Sequence, residues 1–304
     1  MESRYRRYST YLRQKFGCRV YRIPIDAGFT CPTRDGTISR GGCAYCDPKG
    51  SASTVSDKKL GVREQMLKGM EAARKRYKAE KFIAYFQAFT NTYAPIDRLK
   101  QLYNEATSLP GVVGLSIGTR PDCVPDEALD LIASFTPRLE TWVEYGLQSA
   151  HDSTLTAIGR GHTVAQFSDA VRRTTQRGIK ACAHVILGLP GETGEMMKET
   201  ARFVAALPVG GVKIHLFHIL KNSLFEAPYR EGKITLLSQE EYVTVVCDFI
   251  ELLPPEVVIQ RLTGEAPRAN LVAPLWALDK HTVLDAINAE LERRDSRQGM
   301  YKQS

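Results

Sequence analysis

The sequence predicts an α/β fold, a partial, open TIM-like βα barrel of six to seven parallel strands with a short N-terminal arm and a C-terminal helical extension. Two observations predict it. Short β-type runs alternate with helical stretches of 9–18 residues, the pattern of βα units around a parallel sheet. The units stop at six or seven, short of the eight that close a full barrel. The candidate strands are Arg19–Ile25, Phe82–Phe89, Val112–Gly118, Thr141–Leu147, Lys180–Leu187 and Val212–Ile219, with a seventh at Val257–Leu262. Helical spacing marks Leu60–Tyr77, Ile96–Ser108, Asp126–Ser134, Val164–Arg177, Glu195–Ala206, Gln239–Leu252 and His281–Glu292. Pro95, Gly111, Pro125, Pro137, Gly178, Pro208 and the Pro254–Pro255 pair punctuate the joins. Three segments are read from this pattern: residues 1–24 as a basic, aromatic arm, 19–265 as the barrel, and 266–304 as the extension. Chemistry in such a barrel belongs on the loops that follow the strands.

Composition excludes several classes. Of 304 residues, 43% are hydrophobic and 25% charged, so the chain is neither disordered nor fibrous as a whole. No apolar run is long enough to span a membrane, and the start has no apolar leader. The expected location is cytoplasmic, with the seven cysteines reduced unless they bind metal. Charge is concentrated at the start: Arg4, Arg6, Arg7, Arg13, Lys15, Arg19 and Arg22 face only Glu2 within residues 1–24. Tyr5, Tyr8, Tyr11, Phe16 and Tyr21 are interleaved with them. Cations that can meet phosphates beside rings that can stack on unpaired bases are one way to bind RNA. Tyrosines packed on the domain beneath solvated charges are the other reading.

Cys31, Cys43 and Cys46 lie within sixteen residues, as CPTRDGTISRGGCAYC, just after the first candidate strand. Reduced structural cysteines are usually buried singly, so three on one polar, Gly-rich loop point to metal. A zinc site wants four ligands, with Cys18 available as the fourth. A [4Fe–4S] cluster held by three thiolates leaves one iron open to S-adenosylmethionine (SAM). The barrel context favours the cluster.

The cysteine loop resembles a radical SAM motif with an unusually long first spacing, C-x11-C-x2-C, as in the YhcC/YtqA-type family. GTRPDC (Gly118–Cys123), EYGLQSAHD (Glu144–Asp152), IGRGHT (Ile158–Thr163) and HVILGLPGET (His184–Thr193) resemble the radical SAM region of the Elongator catalytic subunit. The stretch QRLTGEAPRANLVAPLW, opening at Gln260, resembles the YhcC/YtqA-type family specifically. The resemblance implies that Cys31, Cys43 and Cys46 ligate the cluster. It implies a one-electron cleavage of SAM to a 5′-deoxyadenosyl radical, which abstracts hydrogen from the substrate. Tyr45 takes the place of an aromatic that meets adenine. Thr90 and Asn91 stand where relatives carry a Gly-Gly-Glu element that meets the SAM amine. Glu144 and Gln148 are implied for the amine and ribose, and Arg160 for the carboxylate. His184 opens the loop that approaches adenine, and Gly188 shapes it. Arg120 and Asp122 are candidates for the substrate side or for a fixed turn, and Cys123 for a buried small residue.

The resemblance also implies an electron donor such as flavodoxin or ferredoxin. Too few residues follow Val257 for the acetyltransferase domain of the Elongator subunit, so that whole reaction is not expected. Three functional classes follow: a radical SAM enzyme acting on RNA, in particular tRNA, through the basic arm; a radical SAM enzyme acting on a small molecule; and a non-catalytic, zinc-stabilised binding protein.

Overall fold

The computed structural model describes residues 3–46, 59–264 and 268–301. Seven strands form one parallel sheet in the order β1-β2-β3-β4-β5-β6-β8. They are β1 (Val20–Ile25), β2 (Lys81–Phe86), β3 (Val112–Thr119), β4 (Glu140–Gln148), β5 (Lys180–Leu187), β6 (Gly211–Leu216) and β8 (Val258–Arg261). β7 (Ile219–Leu220) and β9 (Leu271–Ala273) form a separate antiparallel pair. The sheet curls into an open half-barrel. Arg22 on β1 reaches Gln260 on β8, at the other edge of the sheet, across 2.8 Å of the interior.

Strand alternation sorts the side chains. Ile23, Ile25, Ala84, Phe86, Leu115, Ile117, Val143 and Tyr145 face outward into the main core. Helices α3 (Val62–Tyr77), α4 (Ile96–Thr107), α5 (Asp126–Ala133), α7 (Val164–Gln176), α8 (Gly194–Ala205) and α10 (Gln239–Leu252) supply the outer layer. α7 starts on a Thr163–Gln166 capping box and α10 on a Ser238–Glu241 box. α11 (Lys280–Arg293) packs against α10, where the Cys247 thiol meets the Ile287 carbonyl. The inward-facing set is layered. Ile83, Trp142, Cys182 and Val258 form an apolar layer at the N-terminal end of the strands. Above it lie Arg22, Tyr85, Ser116, Glu144, His184 and Lys213, a polar layer. Gly211 leaves room for the indole: a Cβ there would lie 3.0 Å from Trp142 Cζ3.

The N-terminal segment is not a free arm. Tyr8–Phe16 form helix α1, closed by Gly17 in the left-handed conformation. Tyr8 and Leu12 are buried in the apolar layer, and Tyr8 meets Trp142 edge-to-face with ring centroids 6.0 Å apart. Tyr11 and Lys15 bind Glu140, the first residue of β4. Arg7 bridges to Ile259 at the start of β8. α1 therefore closes the N-terminal mouth of the barrel. Five of the seven cations in residues 1–24 meet polar partners within the chain: Arg4 meets Asp295, Arg6 the Glu256 carbonyl, Arg7 Asn288, Lys15 Glu140 and Arg22 Glu144.

Other departures from the sequence reading are local. The run Val212–Ile219 is broken at Phe217, because the chain leaves the sheet and Ile219 pairs with Ala273 of β9. β2 stops at Phe86 rather than Phe89. Ala88 and Phe89 take positive φ (83° and 60°), outside the extended region that continues a strand. Short helices α2 (Pro32–Asp35), α6 (Asp152–Ala157) and α9 (Glu226–Arg230) complete the set. Residues 265–267 of the motif opening at Gln260 lie outside the described residues.

Candidate active site

The C-terminal end of the sheet opens into a cavity of about 510 Å³. The three cysteines stand on its rim, on the segment that follows β1. Cys31 is the N-cap of α2, and the Arg34 amide donates to its carbonyl. Cys43 and Cys46 share a tight turn, closed by the Cys46 amide on the Cys43 carbonyl at 3.0 Å. Two backbone bonds staple the loop, Gly42 N–H to Thr33 O and Ala44 N–H to Ile158 O, each 2.9 Å. Burial opposes ionisation of Cys31. The Thr33 and Thr90 hydroxyls, the Thr33 backbone and the Arg120 charge outweigh it, so the thiol sits below its ordinary pKa.

The three thiols, Tyr45, Thr90, Glu144, Gln148, Arg160 and His184 all line this one cavity. Arg160 donates to the Gly146 carbonyl through Nε and Nη2 (3.3 and 3.0 Å) and directs Nη1 at Cys43 Sγ, 3.6 Å away. No carboxylate pairs with it among the described residues. A Cβ on Gly146 would fall 2.7 Å from Arg160 Nη2 and also close to Gln148 Nε2, so a side chain there would push these two ends out of place. Gln148 closes β4 with φ 74°, an uncommon non-glycine conformation on the cavity wall.

Two expected residues lie elsewhere. Asn91 does not line the cavity; its side-chain amide donates to the Ala88 and Gly118 carbonyls and staples the loop behind the wall. Gly188 is also off the cavity. It turns at φ 81°, with Leu237 3.0 Å from where a Cβ would be, and its amide meets the Met197 sulfur. Cys18 precedes β1, so the length of that strand separates it from Cys31, and a four-cysteine zinc site is not formed.

Glu144 has a different surrounding from the one the sequence implied. It is buried, and both oxygens are engaged. Oε1 accepts from Ser116 (2.6 Å) and Arg22 (3.1 Å); Oε2 accepts from His184 Nε2 (2.9 Å) and from Lys213. Burial disfavours its charge, but Lys213, His184 and Arg22 overcome this and hold the carboxyl well below the usual range. His184 is pushed down to about 4 by burial and by the Lys213 charge, so the ring is neutral and donates to Glu144. Lys213, whose Nζ lies 3.0 Å from the Tyr85 hydroxyl, is lowered chiefly by burial. Sequence reasoning missed Arg22, Tyr85, Lys213, His215, His218 and Arg261. The alternation of Lys213 and His215 with Val212, Ile214 and Leu216 was the available signal, since polar residues at period two in a buried strand face one side.

The donor set fits an iron–sulfur cluster: three soft thiolates from one loop, beside an arginine that no carboxylate of the described residues pairs with, at the mouth of a cavity with room for a cofactor. The Radical SAM superfamily pattern matches residues 36–204, and the Radical_SAM C-terminal domain pattern matches residues 209–293. The chain belongs to the radical SAM superfamily. It is 42% identical over 302 residues to the protein YtqA of Bacillus subtilis, covering 99% of this chain and 94% of that one. It is 30% identical over 186 residues to a tRNA uridine(34) acetyltransferase of Dehalococcoides mccartyi, covering 60% of this chain and 39% of that protein. A solved structure of Elp3 from the archaeon Methanocaldococcus infernus superposes with a TM-score of 0.70 at 18% identity, over 92% of this chain and 64% of that one, which shows a shared fold. As a radical SAM enzyme the protein uses a [4Fe–4S] cluster and SAM. Cys31 lies just outside the matched span, so its place in the site rests on its position beside Cys43 and Cys46 at the cavity rim.

Proposed function

We propose that Cys31, Cys43 and Cys46 hold the [4Fe–4S] cluster, and that the enzyme cleaves SAM reductively to act on an RNA substrate of the tRNA class. The cluster, when bound with SAM and supplied with one electron, gives a 5′-deoxyadenosyl radical able to take hydrogen from an unactivated C–H bond. The observation that carries the reading is the set of three thiols and Arg160, unpaired with any carboxylate of the described residues, around one cavity at the C-terminal end of the strands. Arg160 is fixed by the Gly146 carbonyl and keeps an N–H for the SAM carboxylate. Tyr45 offers its ring to adenine, and Thr90 and Gln148 offer polar atoms to the methionine and ribose ends. Glu144 acts indirectly, by orienting His184 and Lys213 at the cavity floor. Reduced flavodoxin or ferredoxin would supply the electron.

The RNA reading rests on the likeness to the tRNA uridine(34) acetyltransferase. One observation favours a small-molecule substrate instead: the basic segment is folded against the end of the barrel opposite the cysteines. The test is anaerobic reconstitution with iron and sulfide, followed by SAM and a reductant. 5′-Deoxyadenosine should form with the wild type and not with Cys43→Ala. Comparing bulk tRNA nucleosides from wild-type and deletion strains by mass spectrometry separates the two substrates. Purified enzyme that cleaves SAM, together with identical nucleosides in the two strains, removes the RNA reading.

A further inference from the structure

The ladder between β6 and β8 skips a residue. Val212 pairs with Ile259 and Lys213 with Arg261, leaving Gln260 without a partner in register. Bulges of this kind re-aim side chains, and this one sets Arg261 on the cavity wall while Gln260 binds Arg22 below it. Arg261 has no hydrogen-bond or ion-pair partner among the described residues. Among the described residues no carboxylate pairs with it: Glu144, which lines the cavity, is already surrounded by Lys213, Arg22, His184 and Ser116.

Two histidines share this cavity wall: His215, on β6 and close enough to Arg261 to feel its charge, and His218, two residues past the strand. The His215 ring is neutral, lowered well below its usual pKa by burial first and then by the Arg261 charge. His218 is held at about 4 by burial, and its Nε2 is buried with no partner. Gly264 makes room for both rings. A Cβ there would lie 3.0 Å from His218 Cε1 and 3.5 Å from His215 Nδ1. A partly buried guanidinium with no counter-charge among the described residues, lining the same cavity as an unpaired buried imidazole, is costly unless a ligand completes it. Two neutral imidazole N–H groups and a planar guanidinium fork form the donor set that recognises a phosphate or carboxylate. SAM brings one carboxylate, and Arg160 stands ready for it at Cys43. Arg261 and Gly264 belong to the motif opening at Gln260, the part of the sequence that the SAM-binding elements leave unexplained.

We infer that Arg261, with His215 and His218, binds an oxyanion of the substrate, a phosphate or carboxylate group, and so selects anionic substrates. The inference rests on the proposed placement of the cluster and SAM in the same cavity. The experiment uses the reconstituted holoenzyme saturated with SAM, so that the Arg160 side is filled. Inorganic phosphate, uridine 5′-monophosphate and succinate are titrated by calorimetry into the wild type, Arg261→Gln, Arg261→Lys and Gly264→Ala. At least one probe should bind the wild type. Arg261→Gln should weaken it on the order of tenfold or more, with Arg261→Lys in between. Gly264→Ala, which crowds His218 and leaves Arg261 in place, should also weaken it. Preference for phosphate and the nucleotide identifies a phosphorylated substrate, and preference for succinate a carboxylate; either supports the site. A loaded wild type that binds none of the probes overturns it, as does an Arg261→Gln protein that binds as tightly as the wild type. A wild type that fails to hold a cluster or cleave SAM instead sinks the functional reading beneath it.

Discussion

Glu144 shows how one buried side chain can hold together groups from four other strands. A single buried carboxylate neutralises Lys213 and Arg22 and accepts from His184 and Ser116. Removing one partner of a buried ion pair leaves an unpaired charge in a poor solvent, which costs about 3–5 kcal/mol. Glu144→Gln is therefore expected to lose that much stability in urea unfolding; a loss under about 1 kcal/mol would mean that water screens the network. The pH dependence has a definite sign. The folded pKa lies below the unfolded value of 4.5, so the stabilisation is present above 4.5 and is lost as pH falls through the folded value. The acid limb of the wild-type stability curve should be steeper than that of Glu144→Gln. At the cysteines the expected outcome is different in kind. Alanine at Cys31, Cys43 or Cys46 should abolish retention of reconstituted iron, whereas Cys247→Ala, against α11, should retain it in full; iron and sulfide per chain decide the point. The cysteines were legible because their spacing is local. The surroundings of Glu144 were not, because Arg22, Ser116, His184 and Lys213 come from four other strands.

At the scale of elements, β5 and α10 match the sequence reading to the residue, since each is a periodic run bounded by Gly, Pro or a cap. The losses came where context decides. α1 has Tyr8 and Leu12 at helical spacing and Gly17 as a stop, but its charge drew attention away from its apolar face. β6 reads as one run to Ile219, and only pairing with β9 shows that the strand has already ended. α1 supplies part of the apolar layer at the closed end of the barrel, so Leu12→Ala should cost about 2–5 kcal/mol. Thermal or urea unfolding measures it. Iron retention below the midpoint should be unchanged, because the cysteine loop is at the other end of the strands. Loss of iron in the folded Leu12→Ala protein would show that the two ends are coupled.

The molecule as a whole has two poles, and its charge must be read against them. The N-terminal pole is closed by α1, with Trp142 packed beneath it and Glu140 binding Tyr11, Lys15 and Lys180. The C-terminal pole holds the cysteines and the cavity, with Arg34 on its lining and Arg40 exposed on the same loop. The sequence alone could suggest that a segment so rich in arginine would resist folding down, because like charges repel. That repulsion is reduced by Asp295, the Glu256 carbonyl, Asn288, Glu140 and Glu144, while Arg13 and Arg19 lie exposed to solvent. An RNA delivering a nucleotide into the cavity must cross the pole that carries Arg34 and Arg40, and it need not reach Arg4, Arg6 or Arg7. Each neutralised phosphate of a single strand adds about −0.7 to the slope of log affinity against log salt. Replacing Arg34 and Arg40 with glutamine should therefore flatten the slope for tRNA binding by up to about 1.4. The triple replacement of Arg4, Arg6 and Arg7 should lower the melting temperature and leave that slope as it is in the wild type. If the triple variant flattens the slope and the loop variant does not, RNA binds at the closed pole, where it cannot present a nucleotide to the cysteine loop, and the small-molecule reading takes its place.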